Sequence, residues 1–290
     1  MDEEPTVENP SLRMLGFMAT VFGGHFICYG LIRCSKLTTA RNPGFTAHQI
    51  CFFFSMAYCA VIGCWLWANR AHDLKDRVYG HLRPANLLCE FNCAFQIYDL
   101  IVSLLVPTLR HFDRIAHHTV AGILAYWSYK YHLLLYYSIF FFGVSEVSSI
   151  FLTFVEFFKE FPSLRDQDLN PFLSQVNEHS RTMFAVLFIA IRVVYWPYVS
   201  MQFWFDSLGA LTNGGAHPVE ITCVLLANIG LTLLQFHWGT IILRQIHKKL
   251  CVDRRLPVDQ KEGYASIDGT GFPMHSTHKE DTPLMHKMDP

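Results

Sequence analysis

The sequence predicts an all-α membrane protein, a bundle of about seven transmembrane helices, all but the short fourth long enough to cross a hydrocarbon core of roughly 30 Å. Three observations support this. Apolar residues make up 51% of the 290 positions and charged residues only 16%, well below the roughly 25% usual in soluble domains. Apolar runs of about 20 residues recur along most of the chain. Unbroken runs such as Tyr136 to Val144 lack the alternation that a membrane β-barrel strand requires.

The spans fall at Leu12 to Arg33, Ala47 to Asn69, Ala85 to Leu109, Arg114 to Tyr129, Leu133 to Phe158, Thr182 to Phe205 and Ile221 to Leu243. Only Lys130, Tyr131 and His132 separate the fourth from the fifth. A tight antiparallel hairpin is therefore expected there. The chain divides into an N-terminal leader at 1–11, a transmembrane region at 12–250 and a polar tail at 251–290. From about Asp253 the tail is rich in Gly, Pro, Ser, Thr and His and has no periodic apolar face, a composition that favours disorder. The first apolar run follows an acidic leader without a small-residue cleavage site, so the first span is expected to anchor itself.

Lys and Arg collect after spans one, three and five and again after span seven: Arg33, Lys36 and Arg41, then Arg110 and Arg114, then Lys159 and Arg165, then Arg244, Lys248, Lys249, Arg254 and Arg255. The positive-inside rule makes that side cytosolic and puts the N-terminus outside or in the lumen. Arg70, Lys75, Arg77 and Arg83 in the second loop dilute the signal. Net charge is −1, so no global basic field exists to hold nucleic acid. Of the nine cysteines, seven lie inside apolar stretches and read as small hydrophobes. Cys34 and Cys251 lie just outside spans, where palmitoylation is a weak alternative to an ordinary thiol.

An ionisable side chain in mid-bilayer costs several kcal/mol unless it finds a partner or a wet cavity. Counted inward from the cytosolic span ends, Asp99, Glu146 and Arg192 fall roughly 15 to 18 Å deep. Arg192 could pair with either acid, as a structural clasp or facing a substrate. Nearer the cytosol come the doublet His117 and His118, with Gln235 and His237 at about the same depth. Neighbours on a helix point about 100° apart, so the doublet is a poor metal site, and neither metal nor cofactor is expected. Asp113, four residues before His117, could orient its imidazole for base or nucleophile chemistry, or could cap the helix. His25, Glu90, Asn228 and Asp206 lie at other levels or near span ends and are less informative.

In order, these residues resemble the TLC-domain family, grouped around Tram, Lag and CLN members, from roughly residue 47 to 243. The resemblance rests on Asp113-Arg114-Ile115-Ala116-His117-His118-Thr119, followed some 27 residues later by Ser145-Glu146-Val147-Ser148-Ser149-Ile150-Phe151-Leu152. Tyr98-Asp99 upstream and a helix carrying Arg192 and Pro197 also fit. The resemblance implies a helical bundle around a lipid-accessible cavity, often in the endoplasmic reticulum. In ceramide synthases of this family the histidine pair and downstream acids are central to N-acyl transfer from acyl-CoA to a sphingoid amine. Where those enzymes carry two aspartates three apart and then a glutamate, this chain has Glu146, Ser149 and Thr153. That departure resembles the non-synthase TLCD branch, associated with lipid composition and trafficking.

Two functions follow as expectations. One is a lipid-handling protein that holds a membrane lipid between its spans and contributes to lipid homeostasis, with Arg192, Gln235 and His237 against the lipid. The other is an acyl-CoA-dependent N-acyltransferase using His117 or His118, tuned by Asp99 or Glu146. A seven-span receptor is a third class, but the third span ends in Pro107-Thr108-Leu109-Arg110 rather than Asp-Arg-Tyr, and the seventh lacks Asn-Pro-x-x-Tyr.

Overall fold

The structure, a computed structural model, describes residues 10–255 and is all-helical over them. The long helices are α1 (Pro10–Cys34), α2 (Pro43–Asn69), α3 (Arg83–Leu105) and α4 (Phe112–Tyr131). They are followed by α5 (Leu135–Phe141), α6 (Val147–Glu160), α7 (Pro171–Leu187), α8 (Trp196–Thr212) and α9 (Pro218–Arg255). Proline opens or nearly opens α2, α3 and α7, positions where its missing N–H costs nothing. α5 with α6, and α7 with α8, each form one crossing, so the chain passes through the bundle seven times among the described residues. Six of these crossings are long and apolar enough for a bilayer by length and composition. The seventh, α4, falls short because it carries Asp113, Arg114, the histidine doublet and Lys130.

Alternate loops gather at opposite ends. At the end rich in basic loops, Asn42 Nδ2 donates to Thr108 Oγ1 (3.2 Å) and to Glu160 Oε1 (2.9 Å), tying the first, third and fifth connections together. At the other end Leu134 N donates to Val78 O (2.6 Å) and Tyr79 Oη to Ala216 O (2.9 Å). This alternation is what a multi-pass chain needs. The expected reversal between the fourth and fifth spans is present, with His132 and Leu134 at φ 52° and 59°. However, α4 packs chiefly along α3 rather than against α5. α9 runs on to Arg255, so helix covers the first residues of the segment expected to be disordered. The rest of that segment and most of the leader lie outside the described residues.

Two expected continuous spans are interrupted. α5 stops at Phe141, and a single 3₁₀ turn (Val144–Glu146) precedes α6. The cause is a close backbone approach: a β-carbon on Gly63 of α2 would overlap the backbone of Gly143, and one on Gly143 would meet Gly63 Cα at 2.5 Å. Between α7 and α8 the helix widens into a π-segment, Phe188–Tyr195, immediately before Pro197. Such segments insert an extra residue into the helical ladder and concentrate at functional sites. Glu146 ends the first interruption and Arg192 sits inside the second.

Polarity is inverted relative to a soluble bundle. Glu90, His48, Asp99 and Gln235 have no exposed surface, whereas Leu12, Phe26, Ile27 and Leu31 of α1 are each more than half exposed. Such an apolar face is stable only against lipid or another apolar partner. The glycine contact yields a direct check. We expect Gly63→Ala to destabilise the protein by about 1–3 kcal/mol through overpacking. Gly30→Ala, in a helix interior with open space around it, should be neutral or stabilising by up to about 1 kcal/mol. Thermal unfolding in detergent measures both.

Candidate functional site

Asp99 is the centre of a buried knot joining α2, α3 and α4. His48 Nε2 donates to Asp99 Oδ1 at 2.6 Å, and His118 Nε2 lies 3.2 Å from Asp99 Oδ2. Arg114 Nε is 3.7 Å from the same oxygen, and its Nη1 reaches Glu156 Oε2 at 3.4 Å. Glu156 also accepts from Gln49 Nε2 (3.0 Å), which brings in α6. His118 Nδ1 donates to Gln96 Oε1 at 2.5 Å, and Gln96 Nε2 donates to Asn92 Oδ1 at 3.1 Å. Tyr98 stacks on the His48 ring, centroids 6.1 Å apart, and its hydroxyl hydrogen-bonds His25 Nδ1 at 2.9 Å. A buried carboxylate needs this density of charge and donors to stay ionised in an apolar surround. His118 is held on both sides of its ring, by the hydrogen bond at Nδ1 and by the Asp99 carboxylate facing Nε2.

A second polar centre lies deeper, where the two helix irregularities meet. Arg192 Nη2 donates to Glu146 Oε2 (3.2 Å) and Ser149 Oγ (3.1 Å), while Nε donates to Ser145 O (3.2 Å) and Ser148 Oγ (3.0 Å). Ser149 Oγ also donates to Glu146 Oε2 at 2.6 Å. The broken helix explains why these groups can converge. Interrupting α5–α6 frees the Ser145 carbonyl for Arg192, and the π-segment turns Arg192 toward the turn that presents it.

Between these centres and the opposite end of the bundle runs a narrow cavity of about 60 Å³. Gln96, His117, Glu146 and Arg192 line its polar part, and Leu124, Tyr137, Phe141, Trp196, Phe203 and Leu231 its apolar part. Tyr137 lines the cavity toward the end opposite the basic loops, and its hydroxyl donates to Asp206, itself 3.6 Å from Arg77 Nη1. His117 therefore has a different setting from its neighbour. Its Nδ1 is buried and has no hydrogen-bond partner among the described residues. The ring stands 6.0 Å from Trp238 of α9 and 5.2 Å from the His118 ring.

The structure thus sorts the sequence-predicted residues differently. Asp99 belongs with the histidines, within about 9 Å of the basic ends of their helices, while Glu146 lies about 21 Å along its crossing. Arg192 pairs with Glu146 and not with Asp99. Asp113 is exposed in the first turn of α4 and provides no side-chain cap there. The carboxylate that meets the doublet is Asp99. Gln235 is buried on the same face of α9 as cavity-lining Asn228 and Leu231, whereas His237 is exposed on the outer face. A count of depth cannot see which side of a helix faces inward, which is why His237 was grouped with the doublet. No group of three or more His, Cys, Asp or Glu able to hold a metal ion occurs among the described residues.

Sequence reasoning passed over His48 and Gln96, and names Ser145 and Ser148 only within the motif that carries the family resemblance. An intramembrane histidine such as His48 carries the same signal as the doublet; nothing local marks Gln96 or the contacts of the serines. The knot has a measurable consequence. Asp99→Leu leaves Arg114 and two imidazoles without their anion and should cost about 3–5 kcal/mol. Exposed Asp113→Leu should change stability by less than about 0.5 kcal/mol. Equal effects in detergent unfolding would contradict Asp99 as the shared anchor.

With this geometry in view, comparison with known proteins gives one positive finding. The family model described as the TLC domain matches residues 15–244, from early in α1 to well into α9. No curated protein matches the chain. The match takes in both polar centres, the histidine doublet and the whole cavity, and we conclude that this multi-pass membrane protein belongs to the TLC domain family.

Proposed function

We propose that the protein handles a membrane lipid, holding its polar end at the His117–Glu146–Arg192 end of the cavity and apolar chain against the aromatic residues beyond. The observation that carries this reading is a cavity in a lipid-bathed bundle that has charged side chains at one end and mainly apolar ones, interrupted by Ser128, Ser138 and Asn228, along the rest. Such a gradient matches an amphiphile, and buried charges in a membrane bundle commonly mark a ligand path. At about 60 Å³ the cavity holds a few water-sized groups. A full acyl chain requires α4 and α9 to part, and these helices meet at few positions. On this reading the protein adjusts membrane lipid composition, with the endoplasmic reticulum the expected membrane and the basic loops facing the cytosol.

A second reading is favoured by one feature, the unengaged Nδ1 of His117 inside the cavity. In an acyl-CoA-dependent N-acyltransferase this imidazole would take the proton from a long-chain amine as the amine attacks the thioester carbonyl. It would then pass the proton to the departing thiolate.

Two experiments separate these readings. Filling the cavity with Ala121→Trp, at a lining position, should remove co-purifying lipid in native mass spectrometry of the nanodisc-embedded protein; retention at the wild-type level would contradict the cavity reading. In liposomes given acyl-CoA and a long-chain amine, the lipid-handling reading expects no amide product. Product that falls about 10²–10⁴-fold in His117→Ala would establish the transferase instead.

A further inference from the structure

Arg192 lines the cavity with only 6% of its surface exposed, and it does not use all of its donors. A guanidinium presents its N–H groups in a planar fork. Nε donates to the Ser145 carbonyl and to Ser148 Oγ, and Nη2 donates to Glu146 Oε2 and Ser149 Oγ. Nη1 has no hydrogen-bond partner among the described residues. It also differs from the unpartnered Nδ1 of His117, which its neighbours seal, in remaining open to a water-sized group. The cavity is the open space at this residue. Charged donors left unmatched in an apolar surround are costly, so the site as it stands lacks an acceptor.

The other polar groups on the wall are largely committed. Gln96 donates to Asn92 and holds His118, and Asn228 accepts from Trp204 Nε1 and donates to Ser200. Ser138 donates to Ser128 at 3.1 Å, and the Tyr137 hydroxyl donates to Asp206. Both oxygens of Glu146 are engaged, Oε1 by Ser145 at 3.2 Å and Oε2 by Arg192 and Ser149. What the charged end has left to offer is the cationic donor Nη1, with the His117 imidazole within electrostatic reach of it. An ammonium head placed there would meet a like charge and find the Glu146 oxygens taken. A carbonyl or phosphate oxygen would instead give Nη1 its missing partner, and a cavity of about 60 Å³ admits such a group.

We infer that Arg192 is a ligand-binding residue as well as half of an ion pair: Nη1 donates to an acceptor oxygen at the polar end of the lipid, an acyl carbonyl or a phosphate oxygen, so the cavity takes lipids that carry such an oxygen in preference to long-chain ammonium compounds. This inference rests on the lipid-handling reading and names the chemistry of the ligand for that site. The division of labour follows from the geometry of the fork. Nε and Nη2 fix the guanidinium against the broken crossing, and Nη1 is the nitrogen left for a guest. Such a site discriminates because a ligand without the oxygen leaves a buried charged donor unmatched.

The test uses the full chain in nanodiscs with four photoactivatable probes of equal chain length: a fatty acid methyl ester, an alkyl phosphate, an alkyl amine and an alkane. Cross-links are mapped to peptides of α4, α8 and the π-segment between α7 and α8. We expect the ester, the phosphate or both to label these peptides about tenfold or more above the amine and the alkane; which of the two does so identifies the source of the oxygen. Arg192→Lys keeps a positive charge beside Glu146 but removes Nη1. It should lower acceptor-probe labelling by about tenfold and leave amine and alkane labelling unchanged, with thermal unfolding confirming that the variant is folded. The probe comparison on the unmodified chain decides the matter even if the variant does not fold. Amine or alkane labelling as strong as that of both acceptor probes would leave lipid handling standing and overturn the inference. Undiminished acceptor-probe labelling in folded Arg192→Lys would overturn it as well. Absence of cavity labelling by any probe would overturn both readings together.

Discussion

A carboxylate with no exposed surface, Asp99, sets the terms for half of this bundle. In hydrocarbon it must be matched on every side, and His48, His118 and Arg114 do so from α2 and α4 while Ser103 adds a weaker contact at 3.4 Å. Three helices are fixed in register by one side chain. Breaking such a pair from one side is costly because the remaining charges stay buried. The knot also sets the two ring nitrogens of His118 against Gln96 and Asp99, and the two members of the doublet consequently have different roles open to them. His118 is held in a scaffold, and His117 is presented to the cavity.

The deeper centre depends on backbone irregularity in place of charge density. The Gly63–Gly143 approach prevents a continuous fifth crossing, and the π-segment before Pro197 distorts the sixth. Irregular backbone is tolerated in a membrane only where protein or a cavity satisfies its polar groups. Here Arg192 satisfies the Ser145 carbonyl, while Ser149 fills a space between Arg192 and Glu146 that a second acid could have occupied. The result is an ion pair beside the cavity, between Arg192 and Glu146.

Much of this was legible in the sequence. Lipid as solvent, about seven crossings and the alternation of basic loops follow from run length and charge placement. Glu146 and Arg192 were also visible as charges too deep to be accidental. What could not be read was direction. A depth count placed Asp99 with Glu146 because the third span was taken to Leu109 whereas α3 ends at Leu105, and it placed His237 with the doublet because it does not register rotation about the helix. α4 is polar enough that composition alone understates it as a crossing, yet it contributes both histidines and packs along α3. The helix interruptions arise from contacts between distant segments, Gly63 with Gly143, and such contacts have no local signature.

The central claim is that the inward polar residues of this bundle enclose a site for lipid rather than merely clasping helices together. Cryo-electron microscopy of the protein in native nanodiscs tests it most directly. The account predicts elongated density inside the bundle, its polar end against His117, Glu146 and Arg192 and its chain running along Phe141, Trp196 and Phe203. A cavity holding only water, with ordered lipid confined to the outer faces of α1 and α9, would contradict it.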